Sequence, residues 1–326
     1  MSETNKIPSR ALVADIGGTN ARFAIADLVT LEISAVRRFP VAEHKTLAEA
    51  IGFYLKDVAE PIGHAAIAVA APVTGDAVKL TNSPWSFAKG QLCAAAGLKH
   101  VHVLNDFEAL SLSLPYIGAD ELHQIGGEAP RPHGTKVVLG PGTGLGVAGL
   151  VWSPAGWVAV PGEGGHVTLG AVDERELQLV ERLRAGREHL SVERALSGPG
   201  LSDLYQAVAA AQGHGEEALT PAEVETRALG GQDPLAVEAL DLFVTWLGRF
   251  AGDVALVLGA RGGVYLGGGI APKLVQRLGQ GDLREAFEHK GRMQAFLAPV
   301  PIYVILAEYP ALTGDAVGLR AVLANA

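Results

Sequence analysis

Two short turns carry the first recognisable chemistry in this chain. The stretch "LVADIGGTNARFAIAD", Leu12 to Asp27, takes an apolar strand pattern into Asp15, Gly17, Gly18, Thr19 and Asn20 and straight back into another apolar run. From Lys136, "KVVLGPGTGLGVAGLVW" repeats the plan with Gly142, Thr143 and Gly144 at its turn. Glycine lets backbone N–H groups approach a ligand closely, and the hydroxyls of Thr19 and Thr143 add donors, so each turn has the makings of a cradle for phosphate oxygens. A plain hairpin turn is the other reading of either stretch alone. The pair, with an acid in the first, favours phosphate. A P-loop requires Gly-x-x-x-x-Gly-Lys-Ser/Thr ahead of a helix, and neither turn has the lysine or the helical pattern. Gly144, Gly146 and Gly149 do stand in Gly-x-Gly-x-x-Gly spacing. They fall inside the second strand of a hairpin rather than between a strand and a helix, which argues against a dinucleotide site.

The elements that must position these turns alternate between strand and helix. "TLAEAIGFYLKDVAEP" opens with Thr46 and Glu49 in capping-box spacing, places Leu47, Ile51, Leu55 and Val58 on one face, and predicts a helix that stops at Pro61. "HAAIAVAAPV" is an apolar run of strand length suited to burial on both faces of a sheet. A second helix is expected from about Ser86 to Leu98, broken at Gly97, and "HVHVLND" then reads as a strand ending in Asn105 and Asp106. This order is an α/β layout. Farther on, "PLAVEALDLFVTWLGRFAGDVALVLG" predicts a long, largely buried helix, and "GGVYLGGGIAP" a strand entering a glycine turn.

Composition bounds the function classes. With 326 residues, 48% hydrophobic and 19% charged, the chain can bury a large core, and at roughly 150 residues per domain it should form about two domains. A net charge of −9 offers no attraction to phosphate backbones or anionic lipid, and the one short basic stretch, "HKGR" near Lys290, reads as solvated surface. No nucleic acid and no membrane are expected. A single cysteine, Cys93, rules out a disulfide framework within the chain and a Cys-rich zinc site, and makes a reducing, cytoplasmic compartment the default. The first ten residues hold no apolar core of a signal peptide. The longest apolar stretches fall short of the roughly 20 residues that span a bilayer.

Seven blocks occur in an order that resembles the bacterial glucokinases of the hexokinase and actin-like superfold: "DIGGTNARFAIAD", "LTNSPW", "VLNDFEAL", "GPGTGLG", "PGEGGHV", "ERALSGPGL" and "GGVYLGGGI". The likeness runs along nearly the whole chain. It implies an α/β protein of two related ribonuclease-H-like, actin-like domains with a cleft between them. Residues 1–112 and 307–326 would form the smaller domain, and 113–306 the larger. It further implies ATP with Mg²⁺ as donor, glucose phosphorylated on its 6-hydroxyl, a place in glycolysis, and a homodimer. The related sugar kinases and repressors with a Cys-rich zinc motif fit poorly. No cysteine cluster follows "PGEGGH", and about ten residues precede the first expected strand, too few for a DNA-binding helix-turn-helix.

The same resemblance implies residue roles. Ala14, Asp15, Ile16, Gly17, Gly18, Thr19 and Asn20 would face the nucleotide phosphates, with Asp15 near the Mg²⁺ ion. Gly142, Thr143 and Gly144 would form the second phosphate turn, and Gly267, Gly268, Gly269 and Ile270 would approach the adenosine. Asn82 and Asn105 join Glu163, His166 and Glu193 as ligands of the sugar hydroxyls. A sugar hydroxyl is a poor nucleophile at neutral pH, so transfer needs a carboxylate to take its proton. Asp106, at the end of an expected buried strand and ahead of "FEALSLSL", is the candidate base. Capping of the following helix is its other reading, a turn asparagine is that of Asn105, and Glu193 also reads as an acid in the first turn of a helix capped by Ser191. Glu163 and His166, flanked by glycine, lack the helical support of Glu-x-x-His metal sites and read as loop ligands. Two other functions stay open at this point: a non-catalytic sugar-binding regulator, and a kinase of a small carboxylate on the same superfold.

Overall fold

A computed structural model describes residues 8–80, 83–215 and 217–325. The chain divides into two units, one made of Met1–Gly118, Trp157–Pro161 and Ala307–Ala326, the other of Ala119–Gly156 and Gly162–Leu306. The first unit contains β1 (Arg10–Ile16), β2 (Asn20–Asp27), β3 (Ile33–Pro40), α1 (Leu47–Leu55), β4 (His64–Val69), the small hairpin β5 (Ala77–Lys79) and β6 (Ser86–Ala88), α2 (Lys89–Ala96), β7 (His100–Asn105) and α3 (Asp106–Ser113). In the second, β8 (Leu122–Ile125), β9 (Lys136–Pro141) and β10 (Leu145–Ser153) precede α4 (Glu174–Arg184), α5 (Gly198–Ala211), α6 (Pro221–Gly230) and α7 (Pro234–Leu258); β11 (Gly156–Gly162) comes between β10 and α4, its Trp157–Pro161 segment grouping with the first unit. There follow β12 (Val264–Leu266), the short α8 (Val275–Leu278), α9 (Asp282–Glu288), α10 (Gln294–Leu297) and β13 (Ile302–Ile305), and the chain returns to the first unit as α11 (Pro310–Ala324).

The apolar runs at Leu12 and Ala65 become central strands because both of their faces are covered, while Val101 lies in β7 at the edge of the sheet, where buried and half-buried residues alternate. The sheet order is β3-β2-β1-β4-β7, with the β1–β2 hairpin antiparallel and β4 and β7 parallel to β1. Leu12, Phe23, Ile67 and Val103 pack into the core that holds α1, and Phe23 stacks on Tyr54 at 5.6 Å between ring centroids. Each such side chain stabilises the fold by about 1.5–3 kcal/mol. The second sheet, β11-β10-β9-β12-β13-β8, repeats the arrangement: β9–β10 is an antiparallel hairpin and β12 and β13 run parallel to β9. The sequence repeat is therefore a repeat of supersecondary structure. Parallel strands deliver ligand-binding loops at their carboxyl ends. That is where Asp15, Asp106, the Gly142–Gly144 turn and the Gly267–Ile270 turn all lie.

Two sequence expectations are corrected. Thr46 does cap α1, its Oγ1 accepting from Glu49 N at 3.2 Å, but the helix ends at Leu55 rather than running to Pro61. Ser86–Ala88 is not the start of a helix. It pairs as β6 with Ala77–Lys79, and α2 begins only at Lys89. The long helix is present as α7, capped by Asp233 and closed by Gly259. Beneath its middle, Glu176 is held by Arg249 through two bonds of 2.7 and 2.8 Å and by Trp246 Nε1 at 3.0 Å. Among the described residues no helix is long and apolar enough to cross a membrane.

Candidate active site

In the first unit, β7 runs directly into α3, and the junction sorts the two adjacent polar residues by role. Asn105 is the N-cap: its Oδ1 accepts from Phe107 N at 2.9 Å and Glu108 N at 3.3 Å, while Glu108 Oε2 accepts from Asn105 N at 3.4 Å. This reciprocal pair is a capping box. Asn105 Nδ2 donates to Ala71 O at 3.4 Å. Asp106 is the first helical residue, with Oδ1 3.0 Å from Phe107 N, so the cap that the sequence left open for Asp106 belongs to its neighbour. The helix start also favours a negative charge there. Burial pushes the Glu108 carboxyl upward, opposed by its bond to the Asn105 amide.

The first turn closes with Gly17 N donating to Asn20 O at 2.9 Å and exposes Thr19 at its tip. Ala14 and Ile16 are buried strand residues that fix it. Asp15 lies directly across the hairpin from Arg22, and Arg22 Nη1 meets Asp15 Oδ2 at 2.6 Å. Arg38, opposite Arg22 on β3, donates through Nε to Asn20 Oδ1 at 2.9 Å. The sequence reading missed both arginines. Its available signal was Arg22 as the lone cation in β2, flanked by the apolar Ala21 and Phe23. It also missed Asp315, fully buried in α11. Burial, then the charge of Asp15, drives the Asp315 carboxyl well above its ordinary value, opposed by the nearby amides of Ala68 and Ala14 and reinforced by Glu108. Neither of its oxygens makes a well-formed hydrogen bond among the described residues. Asn82 lies outside the described residues.

The second unit brings its three sugar-ligand candidates together. Glu163 precedes a single 3₁₀ turn, Gly164–His166, and the following backbone bonds to the 190–192 segment through Leu169 N to Leu190 O at 3.0 Å and Val192 N to Val167 O at 2.9 Å. That pairing sets Glu193 beside His166. His166 Nε2 is 3.8 Å from Glu163 Oε2, and His166 Nδ1 is 4.0 Å from Glu193 Oε1, the side chains being 59%, 60% and 26% exposed for His166, Glu163 and Glu193. These separations exceed hydrogen-bond length, so the three side chains neighbour one another without hydrogen-bonding among themselves. Glu193 does lie in the first turn of a short 3₁₀ helix, Val192–Arg194, with Ser191 at its N-cap position, although Ser191 makes no side-chain capping bond.

Glycine, threonine and glycine at 142–144 form the β9–β10 turn, with Gly142 N donating to Gly144 O at 2.8 Å and Thr143 exposed. The Gly267–Ile270 turn is fastened to the same strand: Gly267 N donates to Leu139 O at 2.8 Å and Ile270 N to Pro141 O at 3.2 Å. Among the described residues no group of three or more His, Cys, Asp and Glu is arranged to hold a metal ion. Such an inventory of donors suits polyol recognition and phosphate binding by backbone amides.

Comparison with known proteins agrees with this inventory. The glucokinase family model matches residues 12–322. The chain belongs to the glucokinase family. It is 48% identical over 317 residues to the glucokinase of Aromatoleum aromaticum, covering 96% of each chain. It is 47% identical over 316 residues to that of Chromobacterium violaceum, covering 94% of this chain and 88% of the relative. A crystal structure of glucokinase from an Antarctic psychrotroph matches with a TM-score of 0.86 at 35% identity, over 96% of this chain and 99% of that one. The fold is the actin-like α/β fold of these sugar kinases.

Proposed function

We infer that this chain is an ATP-dependent glucokinase, which transfers the γ-phosphoryl group of ATP to the 6-hydroxyl of glucose. Family membership over nearly the whole chain carries the enzyme class, the sugar and the nucleotide. Relatives named glucokinase at 48% and 42% identity disfavour both a non-catalytic regulator and a carboxylate kinase.

We propose Asp106 as the general base. Its carboxylate takes the proton of the 6-hydroxyl as that oxygen bonds to the γ-phosphorus and the bond to the β-phosphate oxygen breaks, giving glucose 6-phosphate and ADP. The observation that supports this is the order of residues at the β7–α3 junction, where Asn105 is the N-cap and Asp106 follows as the first residue of α3, at the carboxyl end of β7. Asn105, Glu163, His166 and Glu193, with Asn82, are the proposed sugar ligands. Carboxylates and an imidazole suit a neutral polyol better than an anion, because hydroxyls donate to them. The Ala14–Asn20 and Gly142–Gly144 turns are the proposed phosphate cradles, with Gly267, Gly268, Gly269 and Ile270 against the adenosine.

Mg²⁺ uses one or two carboxylates together with substrate phosphates, so the single carboxylate of Asp15 fits an ion carried by the nucleotide and not a cage built by the protein. When bound it would neutralise charge on the phosphate oxygens. Arg22 holds one oxygen of Asp15 and so fixes the direction of the carboxylate. A cytoplasmic homodimer serving glycolysis completes the proposal. The test is a coupled ADP-release assay over a panel of hexoses and small carboxylates, with and without Mg²⁺. Glucose-dependent, Mg²⁺-dependent ADP release supports the reading, and turnover with acetate but not glucose contradicts it.

A further inference from the structure

The sugar-ligand candidates and the second phosphate turn meet at one peptide. Glu193 Oε2 accepts a hydrogen bond from Leu145 N at 2.9 Å, and Leu145 is the residue that leaves the Gly142–Gly144 turn. The other oxygen of the same carboxylate, Oε1, is the one aimed at His166. Contact is close enough to dictate residue type on both sides. A Cβ on Gly144 would stand 2.5 Å from Glu193 Oε2 and 3.2 Å from its Cδ, and a Cβ on Gly165, in the Glu163–His166 loop, would stand 2.1 Å from Leu145 O. Thus the amide of Leu145 carries Glu193, and its carbonyl is abutted by the loop that bears Glu163 and His166. Behind the turn, Gly142 O accepts from Gly198 N at 2.7 Å and Pro141 O from Ile270 N at 3.2 Å. The phosphate turn hangs between the sugar ligands on one side and the candidate adenosine turn on the other.

We propose that Glu193 couples the two substrates: occupancy of its Oε1 by a sugar hydroxyl sets the geometry in which Oε2 holds the Gly142–Gly144 turn, so that glucose binding organises the nucleotide phosphate site. The proposal rests on the reading of Glu193 as a sugar ligand and of the turn as a phosphate cradle. Fixing a carboxylate that anchors the turn removes freedom that the nucleotide would otherwise have to remove, so the second ligand binds more tightly. Linkage makes the effect reciprocal, and couplings of this kind are typically about 5- to 150-fold.

Calorimetry with a non-hydrolysable ATP analogue, with and without saturating glucose, reads the coupling in the wild-type enzyme; the expected factor is about fivefold or more, equal in both directions. Two cross-effects assign it to Glu193. Gly144→Ala removes no donor or acceptor but displaces Glu193, and should weaken glucose binding about tenfold or more in the complete absence of nucleotide. Gly170→Ala, whose Cβ would meet nothing within 4 Å, should leave glucose affinity within about twofold. In the other direction, Glu193→Asp is one methylene too short to serve both sides and should weaken the analogue measured without sugar. This second variant decides the matter if Gly144→Ala does not fold. Wild-type glucose affinity in folded Gly144→Ala, or unchanged analogue affinity in Glu193→Asp, overturns the coupling. A wild-type protein that neither binds nor phosphorylates glucose overturns the functional reading instead.

Discussion

Replacing Gly314 with alanine tests whether helix packing sets the position of the candidate base. Gly314 is in α11, where it crosses α3, and a Cβ placed on it would stand 1.7 Å from Ala109 O and 2.5 Å from Ala109 C. Real Cβ contacts do not come closer than about 3.0 Å, and the obstacle is backbone, so the two helices must part by more than an ångström. Ala109 is one turn beyond Asp106 on the same short helix, and a helix moves as a rigid piece. Overpacking of this kind costs about 1–3 kcal/mol, while a misplacement of about 1 Å at a reacting group can cost 10²-fold in rate. Gly314→Ala is therefore expected to fold with a lowered Tm and to lose about 10²-fold in kcat, with glucose Kd changed by much less. Steady-state kinetics, calorimetry of glucose binding and a thermal melt on one preparation suffice. A folded variant with kcat within threefold of wild type would refute the argument that the α3–α11 contact positions Asp106.

The remaining expectations concern stability. Arg249→Met strands the Glu176 carboxylate, which is only 6% exposed, and breaking a buried pair in this way costs about 3–5 kcal/mol; urea denaturation should show a loss of that size, and a loss below 1 kcal/mol would mean that the pair is not the anchor of α4 on α7. For Glu176 itself, burial raises the carboxyl but Arg249, Trp246 and the Val172 amide outweigh it, leaving the pKa below 4.5. Its stabilisation is therefore present above pH 4.5 and is lost as the pH falls through the lower folded value. His102 acts in a higher window. Burial, then the charges of His100 and Lys89, lowers its pKa from 6.5 to about 4, so between these values the unfolded chain binds more protons and stability falls as the pH drops from 6.5 towards 4. Melts from pH 7.5 to 4.5 should show that decline, and His102→Gln should flatten it; an identical slope in the variant would assign the decline elsewhere.

What could be read in advance was the part of the structure that is local. Each hairpin is spelled by apolar strands around a Gly and Thr turn, and β4 by its nearly unbroken apolar run, because burial on both faces leaves no polar alternation. Boundaries were harder. Ser86–Ala88 continues a helical pattern in sequence yet pairs with Ala77–Lys79, a choice made by residues outside the window. The roles of Asn105 and Asp106 differ by a one-residue shift of the helix start, below what residue preferences resolve. Arg22 and Asp315 were not legible as site residues because their meaning is in cross-strand and helix–sheet contacts with Asp15, Ala14 and Ala68. Nor does sequence spacing show that the Glu193 carboxylate, 48 residues from Leu145, closes on its amide.

The central claim, that Asp106 takes the proton of the sugar hydroxyl, is tested most directly by kcat of Asp106→Asn. Asparagine keeps the shape and a hydrogen-bonding group at the first position of α3, and Asn105 keeps the cap, so Tm and glucose Kd should remain near wild type. Loss of a general base typically costs about 10²- to 10⁴-fold, and because the interaction matters mainly in the transition state the loss should fall on kcat rather than on affinity. A kcat reduced by that factor in a protein with unchanged Tm and glucose Kd is the predicted result; a near-normal kcat would contradict the account.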